Sequence, residues 1–315
     1  MKRILSALLS FVSLAGAETT AVPENCYLFS YFTGRGEDGL HLAWSADGLK
    51  WTALRDGASF LHPEVGGKLM RDPCVVQGPD GTFHMVWTDS WTGDTIGYSS
   101  SKDLTDWTEQ KSLHVMKDFP GTKNCWAPEL AYDPEKKHFV IFWASTVPDA
   151  FPETWFDGKN DNNHRMYACT TSDFATFSKT KLWFDPGFNM IDSTVLPWHG
   201  NYVMFFKDET KFPKPMKNLR IALAASLTPG MWAYDEAPVT PPGSWVEGPS
   251  ALVVDGSVVL YFDVYRKHHY AALRSKDLRK WEDITEQLEM PRGIRHGTAF
   301  PVSGNVVRRL LASQP

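Results

Sequence analysis

Four carboxylates and one histidine stand at the heads of short apolar runs, at intervals of roughly 50 to 60 residues. They are Asp72 in Arg71-Asp72-Pro73, Glu129 in Trp126-Ala127-Pro128-Glu129, Asp192 in Ile191-Asp192-Ser193, Glu247 in Glu247-Gly248-Pro249 and His296 in Arg295-His296-Gly297-Thr298. Carboxylates gathered at one place repel one another and push some pKa values up, which suits acid/base work. Such a set can supply what cleavage of a glycosidic bond requires. One protonated carboxyl serves the leaving oxygen, one ionised carboxylate activates water or attacks the sugar, and a third holds the acid protonated. In the inverting arrangement, acid and base stand about 6.5–9.5 Å apart to admit the water. Salt-bridged strand ends are the structural alternative, but four carboxylates against a single histidine argue for a site.

Residues so far apart in sequence meet only if a repeating architecture brings them together. The 13 Trp, 10 Tyr and 19 Phe, with 23 Gly and 21 Pro, favour short strands and turns over helices. Ser-x-Asp followed by an aromatic recurs as Ser45-Ala46-Asp47 before Trp51, Ser101-Lys102-Asp103 before Trp107 and Ser275-Lys276-Asp277 before Trp281. A degenerate copy runs from Ser172-Asp173 to Phe177, and a weak fifth from Ser226-Leu227-Thr228 to Trp232. The Ser or Asp closes a turn on its own backbone, and the aromatic starts the next strand. Between the copies lie hairpins: 72–77 with 82–89, 129–132 with 138–144, 192–196 with 202–207, and 247–254 with 258–263. Their turns carry the expected Gly, Pro, Asp and Asn. Each unit supplies four strands, and repeated four-stranded units predict a β-propeller.

The two ends of the chain complement one another. Residues 27–32 read as a second strand and 40–54 as a third and fourth, with no first strand before them. Residues 295–300 read as a first strand followed only by a short tail. Pairing the C-terminal strand with the N-terminal blade closes the ring without open edges. The expectation is an all-β, five-bladed propeller over residues 18–315, with Asp72, Glu129, Asp192, Glu247 and His296 at equivalent positions around its axis.

Lys2-Arg3, the apolar run Ile4–Leu14 and Ala15-Gly16-Ala17 read as a signal peptide over residues 1–17, implying a secreted or periplasmic protein. That run is too short for a comfortable membrane span, and no later segment approaches one. A net charge of −5 is a poor match for nucleic acid or an anionic membrane surface. Cys26, Cys74, Cys125 and Cys169 show no metal-binding spacing and, beside strand-like runs, read as buried free thiols. The expected partner is a carbohydrate, and a monomer is the expected state.

Taken in blade order, the five motifs resemble the motif series of glycoside hydrolase family 43, over essentially all of the chain after the leader. The resemblance implies a five-bladed propeller and hydrolysis by single-displacement inversion. It implies Asp72 as general base, Asp192 as the pKa modulator that orients the acid, and Glu247 as general acid. His296 matches the family's axial-channel histidine, sometimes near bound calcium, so a structural calcium ion is a candidate while no cofactor is required. Glu129 has no settled catalytic role in the family and is read as funnel-lining or sugar-contacting. Two features depart from the common pattern: three strands precede Asp72, and Ser193 rather than Pro follows Asp192. The Arg-Asp-Pro motif also occurs in fructan-cleaving propellers, but their upstream Asn-Asp-Pro nucleophile motif is absent from this sequence.

Selectivity is expected from the loops after the second strands, residues 33–39, 89–95, 146–164 and 208–218. The longest carries Phe151, Trp155, Phe156 and His164. Aromatic faces stack on sugar rings, and deep walls favour release of terminal residues. Trp91 and Trp126 are read as walls and Arg295 as a donor to hydroxyls. The whole set looks most like members acting on α-L-arabinofuranosides. β-Xylosidase and β-galactosidase or galactofuranosidase activities, and an inactive carbohydrate-binding propeller, are the alternatives.

Overall fold

The computed structural model describes residues 22–155 and 162–313, so the leader at 1–17 and Phe156 lie outside the described residues. Five antiparallel sheets of four strands follow one another in chain order. The innermost strands are Arg71–Gln77, Trp126–Asp133, Met190–Trp198, Glu247–Val254 and Arg295–Ser303, and each touches the next in a closed cycle. The strand Arg295–Ser303 pairs with Asn25–Phe32, so the first blade joins the two ends of the chain as the sequence predicts. The short tail is in fact a helix, Gly304–Ala312, whose Val306, Val307 and Leu310 pack into the core between the first two blades.

The Ser-x-Asp motif is a turn that satisfies its own backbone. Ser101 Oγ accepts the Leu104 N–H at 2.8 Å, Asp103 Oδ1 accepts those of Thr105 and Asp106, and the Trp107 indole closes on the Leu104 carbonyl. Ser45 with Asp47 and Ser275 with Asp277 repeat this pattern. In the degenerate copy the hydroxyl comes from Thr171, not Ser172: Thr171 Oγ1 accepts from Phe174 while Asp173 accepts from Ala175 and Thr176. Side-chain capping of this kind needs only neighbouring residues, which is why it repeats legibly.

The apolar cores lie between blades rather than within them. Trp87, Phe83 and Met85 of the second blade face Leu28, Leu42 and Phe300 of the first. Phe142 and Trp183 of the third meet Met204 and Phe206 of the fourth. Burying both faces of each sheet explains the near-continuous apolar second strands, such as Ser257–Val264, which is buried throughout. All four cysteines are buried free thiols.

Each innermost strand carries one extra residue near its start, and these five bulges set the site. Arg71, Trp126, Ile191, Glu247 and Arg295 pair with Thr88, Ala144, Lys207, Asp263 and Phe32 of the second strands. Three residues further on, Cys74, Glu129, Thr194, Ser250 and Thr298 pair with residues only two back along those partners. In four of the five the residue after the starting pair takes up the slack. Asp72, Ala127, Asp192 and Gly248 accordingly adopt positive φ of 52°, 45°, 50° and 58°. Bulges re-aim side chains, and left-handed backbone at non-glycine residues collects at functional sites.

Candidate active site

The bulges correct the expected ring. Asp72, Glu129, Asp192, Glu247 and His296 do not occupy equivalent positions but fall in three layers. Glu247 precedes its bulge, in line with Arg71, Trp126, Ile191 and Arg295; Asp72, Asp192 and His296 share the second layer with Ala127 and Gly248. Glu129 lies in the third, with Cys74, Thr194, Ser250 and Thr298. The five strands share one bulge, and Pro73, Pro128 and Pro249 follow it at the same position, so Glu247 stands one residue before and Glu129 two residues after the place of Asp72.

A pocket of about 170 Å³ opens on the first two layers, lined by Arg71, Asp72, Trp91, Trp126, Ile191, Asp192, Lys207, Glu209, Glu247 and His296 among others. Glu129 is not among its walls. It lines a separate hollow of about 560 Å³ that starts at the third layer, beside Thr194 and Thr298. Of the two readings for Glu129, funnel-lining or sugar-contacting, its place is in the wall of this hollow and not of the pocket that holds Asp72 and Glu247. There Thr298 Oγ1 donates to its Oε1 at 3.2 Å, and burial pushes its carboxyl up to about 8, with Asp192 adding to the rise against opposition from Thr194, His296 and Thr298.

His296 sits at the middle of the second layer. Its Nδ1 is 3.3 Å from Asp72 Oδ1 and 3.8 Å from Asp192 Oδ2. Burial would lower the imidazole, but Asp192, Asp72 and Glu129 outweigh it and raise it to about 9. Asp72 shows the mirror image. Burial would raise its carboxyl, yet the His296 hydrogen bond and charge, then Arg71 and Thr88, hold it at about 2. Thr88 Oγ1 donates to Asp72 Oδ2 at 2.8 Å while accepting the Ala127 N–H at 2.8 Å, so the left-handed residue of one blade fixes the carboxylate of another. Asp192 is raised, first by burial and then by Glu247 and Asp72, against His296 and Lys207. Its Oδ2 accepts the Gly248 N–H at 3.0 Å, a direct hold on the peptide beside Glu247.

Among the described residues no group of three or more His, Cys, Asp or Glu is arranged to hold a metal ion, and His296 turns its Nδ1 to Asp72.

Glu247 is gripped by two cations, with Oε2 3.1 Å from Lys207 Nζ and Oε1 3.2 Å from Arg295. Arg295 also donates to Asp263 at 2.7 Å, and it is not among the residues lining the pocket. Lys207 reaches Glu209 at 2.8 Å, and Glu209 also pairs with Lys217. Counter-ions, not mutual repulsion alone, govern these carboxylates. Lys207 and Asp263 were not singled out in the sequence; the signal was a charge closing an apolar second strand, in VMFFK and VVLYFD.

The aromatics divide. Trp91, 40% exposed, and Trp126 both line the pocket, edge to face at 6.3 Å, with the Trp126 indole donating to the Trp91 carbonyl. Arg71 lies over the Trp91 ring at 4.6 Å and over Phe32 at 4.5 Å, so part of the Trp91 surface is already covered. In the long loop, Phe151 receives the Arg165 guanidinium at 4.3 Å, and Trp155 donates to the Ala150 carbonyl. His164 is buried, its Nε2 2.8 Å from Asn124 Nδ2 and its ring 5.3 Å from Trp126. These three brace the loop behind Trp126 and do not line the pocket.

Comparison with known proteins follows the same lines. Residues 23–306 match the family model described as a probable glycosyl hydrolase domain, related to family 43. An alpha-L-arabinofuranosidase of Bifidobacterium longum subsp. longum is 24% identical over 217 residues, which are 61% of this chain and 20% of that protein. The chain thus spans about a fifth of the length of that relative. A thermostable family-43 glycoside hydrolase superposes with a TM-score of 0.53 at 16% identity, covering 68% of this chain and 71% of that one. The alpha-L-arabinofuranosidase from Lactobacillus brevis gives 0.52 at 20% identity, with coverage of 68% and 72%. An exo-beta-1,3-galactanase from Clostridium thermocellum gives 0.52 at 13% identity, with coverage of 70% and 50%. At these identities the superpositions speak for the fold.

Proposed function

The chain belongs to the family 43-related glycosyl hydrolases, and from that premise we propose that it is an inverting, exo-acting α-L-arabinofuranosidase. The observation that carries the reading is the meeting in one small pocket of two carboxylates from different blades, one of them held ionised. Asp72 is held ionised by His296 and Thr88, as a base requires, while Glu247 lies in the same pocket with Asp192 fixed against the neighbouring peptide. In this reading Asp72 draws the proton from water as its oxygen attacks the anomeric carbon, and Glu247 protonates the departing oxygen. Asp192 orients Glu247 and tunes it.

A pocket of about 170 Å³ falls well below the roughly 300–1,000 Å³ of sites for drug-sized ligands, which supports a single terminal sugar as the occupant. The furanoside preference draws support from the arabinofuranosidase relative. Residues 1–17 support secretion or a periplasmic location, where side chains of plant-type polysaccharides would be met.

The test is a panel of nitrophenyl α-L-arabinofuranoside, β-xyloside and β-galactoside, together with arabinan-type glycans, beside Glu247→Gln. Arabinofuranoside turnover with inversion of the first-formed anomer by proton NMR is expected. Preferred turnover of another glycoside moves the substrate assignment, retention refutes single displacement, and no turnover at all leaves a carbohydrate-binding propeller.

A further inference from the structure

The carboxyl that protonates a leaving group marks the side from which that group departs, because in inversion the water comes from the opposite face of the sugar ring. Asp72 and Glu247 stand on the second and fifth blades, so the leaving sugar has to lie against the rim beside Glu247. That rim is built outward in a chain of contacts. Lys207, 3.1 Å from Glu247 Oε2, lies 4.8 Å from the centre of the Tyr265 ring. Tyr265 meets Trp245 edge to face at 6.4 Å, and the Arg266 guanidinium lies over the Trp245 ring, 3.1 Å from its centre.

Two of these residues are set up for something beyond packing. Trp245, two residues before Glu247, is half-buried and holds a φ of 55°, a left-handed conformation uncommon for so bulky a side chain; such strain collects at functional sites. Arg266 is exposed, and among the described residues its guanidinium donates to nothing and pairs with no carboxylate. By contrast Arg165, Arg220, Arg274 and Arg295 already hold carboxylates. So close to the ring centre, the Arg266 guanidinium must lie flat, since a tilted one would drive a nitrogen into the ring. Its N–H edge therefore runs along the surface, a planar fork fixed in advance for both oxygens of a carboxylate. The loops around it have the matching sign. Residues 209–217 and 264–269 carry Lys211, Lys214, Lys217, Arg266 and Lys267 against the single carboxylate Glu209, in a chain whose net charge is −5. Glu209 is already taken by Lys207 and Lys217.

We propose that Trp245, Tyr265 and Arg266 form a leaving-group subsite for a uronic acid: the sugar lies along the Trp245–Tyr265 wall and its carboxylate docks in the fork of Arg266. The inference rests on Glu247 being the general acid, and it makes the substrate a terminal sugar carried by an acidic chain rather than a neutral one.

The kinetic test uses 3- and 4-carboxyphenyl glycosides of the sugar that the panel selects, each beside its neutral carbamoylphenyl counterpart. The wild type should prefer the acid in kcat/KM, chiefly through KM. In Arg266→Ala that preference should fall about five- to tenfold, and Arg266→Lys, which keeps the charge but not the fork, should restore only part of it. Comparing preferences between variants cancels the different reactivities of the leaving groups. Lys214→Ala, which removes a charge from the same rim, should keep the preference. No preference in the wild type, no fall in Arg266→Ala, or an equal fall in Lys214→Ala overturns the proposal, the last by showing diffuse attraction. Binding is read without turnover by calorimetric titration of digalacturonate and neutral galactobiose into the wild type and Arg266→Ala. Arg266-dependent binding of the diuronate without turnover of any glycoside would uphold the subsite while removing the activity. Turnover without an Arg266-dependent preference would leave the activity and remove the subsite.

Discussion

His296 reaches Asp72 from Nδ1 to Oδ1 at 3.3 Å, and this contact ties the strand that closes the ring to the proposed catalytic base. Without it, burial would dominate Asp72 and raise its carboxyl. In His296→Asn the acid limb of kcat/KM should therefore climb from about pH 2 into or above the ordinary carboxylate range, with about a twofold loss at pH 4 relative to pH 7 if it stops at about 3.9 and about tenfold if it reaches about 5. The wild-type imidazole, raised to about 9, contributes stability that is complete below its unfolded value near 6.5 and lost as pH rises through 9. Denaturation midpoints across that window should fall for the wild type more steeply than for the variant. An acid limb that stays put would show that His296 does not govern Asp72.

Asp72 and Glu247 should separate by leaving group. Either Asp72→Asn or Glu247→Gln is expected to cost roughly 10²–10⁴-fold in kcat on a natural glycoside. Nitrophenolate departs without much protonation, so the acid variant should recover most of its loss on the nitrophenyl substrate while the base variant should not. Equal losses of both variants on both substrates would reverse or dissolve the assignment.

The legible parts of this molecule are those encoded locally or by repetition. Asp47, Asp103 and Asp277 announce their turns because the bonds that make them reach only two or three residues along the chain. The closing strand is legible because Arg295–Ser303 would otherwise be a first strand with no partner. The layered site is hidden by aligning the motifs on their charges: Glu129 and Glu247 differ from Asp72 by one or two residues, an offset that Pro73, Pro128 and Pro249 mark in sequence and the pairing with Phe142, Asp263 and Thr88 turns into depth. Lys207 escaped for a related reason. Its meaning depends on facing Ile191 and reaching Glu247 from another blade, which no spacing within VMFFK conveys. The loop aromatics failed differently: a motif rich in rings can wall a sugar pocket or brace a loop, and Phe151 and Trp155 found Arg165 and Ala150 first.

Gly248 meets the His296 ring within the second layer. Its φ is 58°, and a Cβ there would stand 2.6 Å from Cγ of His296. Gly248→Ala should cost about 1–3 kcal/mol from backbone strain and the displaced ring, seen as a Tm lower by several degrees. Because the displaced ring leaves Asp72, the acid limb should also move up, in the same direction as in His296→Asn. A variant that loses stability with an unchanged acid limb would mean that the imidazole yields without releasing the carboxylate.

Glu129 supplies the last test, because its place in the third layer gives it a structural cost and no wall of the pocket. Its carboxyl is raised to about 8 by burial. The unfolded chain releases that proton near the ordinary value of about 4.3, while the folded chain keeps it. Stability should be unaffected by this group below about pH 4 and fall progressively as pH rises toward 8, where the cost levels off. Glu129→Gln retains an amide that can still meet Thr298 and has no proton to lose. The variant should match the wild type at low pH and exceed it by several kcal/mol at pH 8, about 5 kcal/mol for a carboxyl moved from about 4.3 to about 8, measured by denaturant unfolding across the range. A difference that does not change with pH would mean that Glu129 is already ionised in the fold, paired with the His296 imidazolium in preference to Asp192 and Asp72, and the charge arrangement of the second layer would then have to be redrawn.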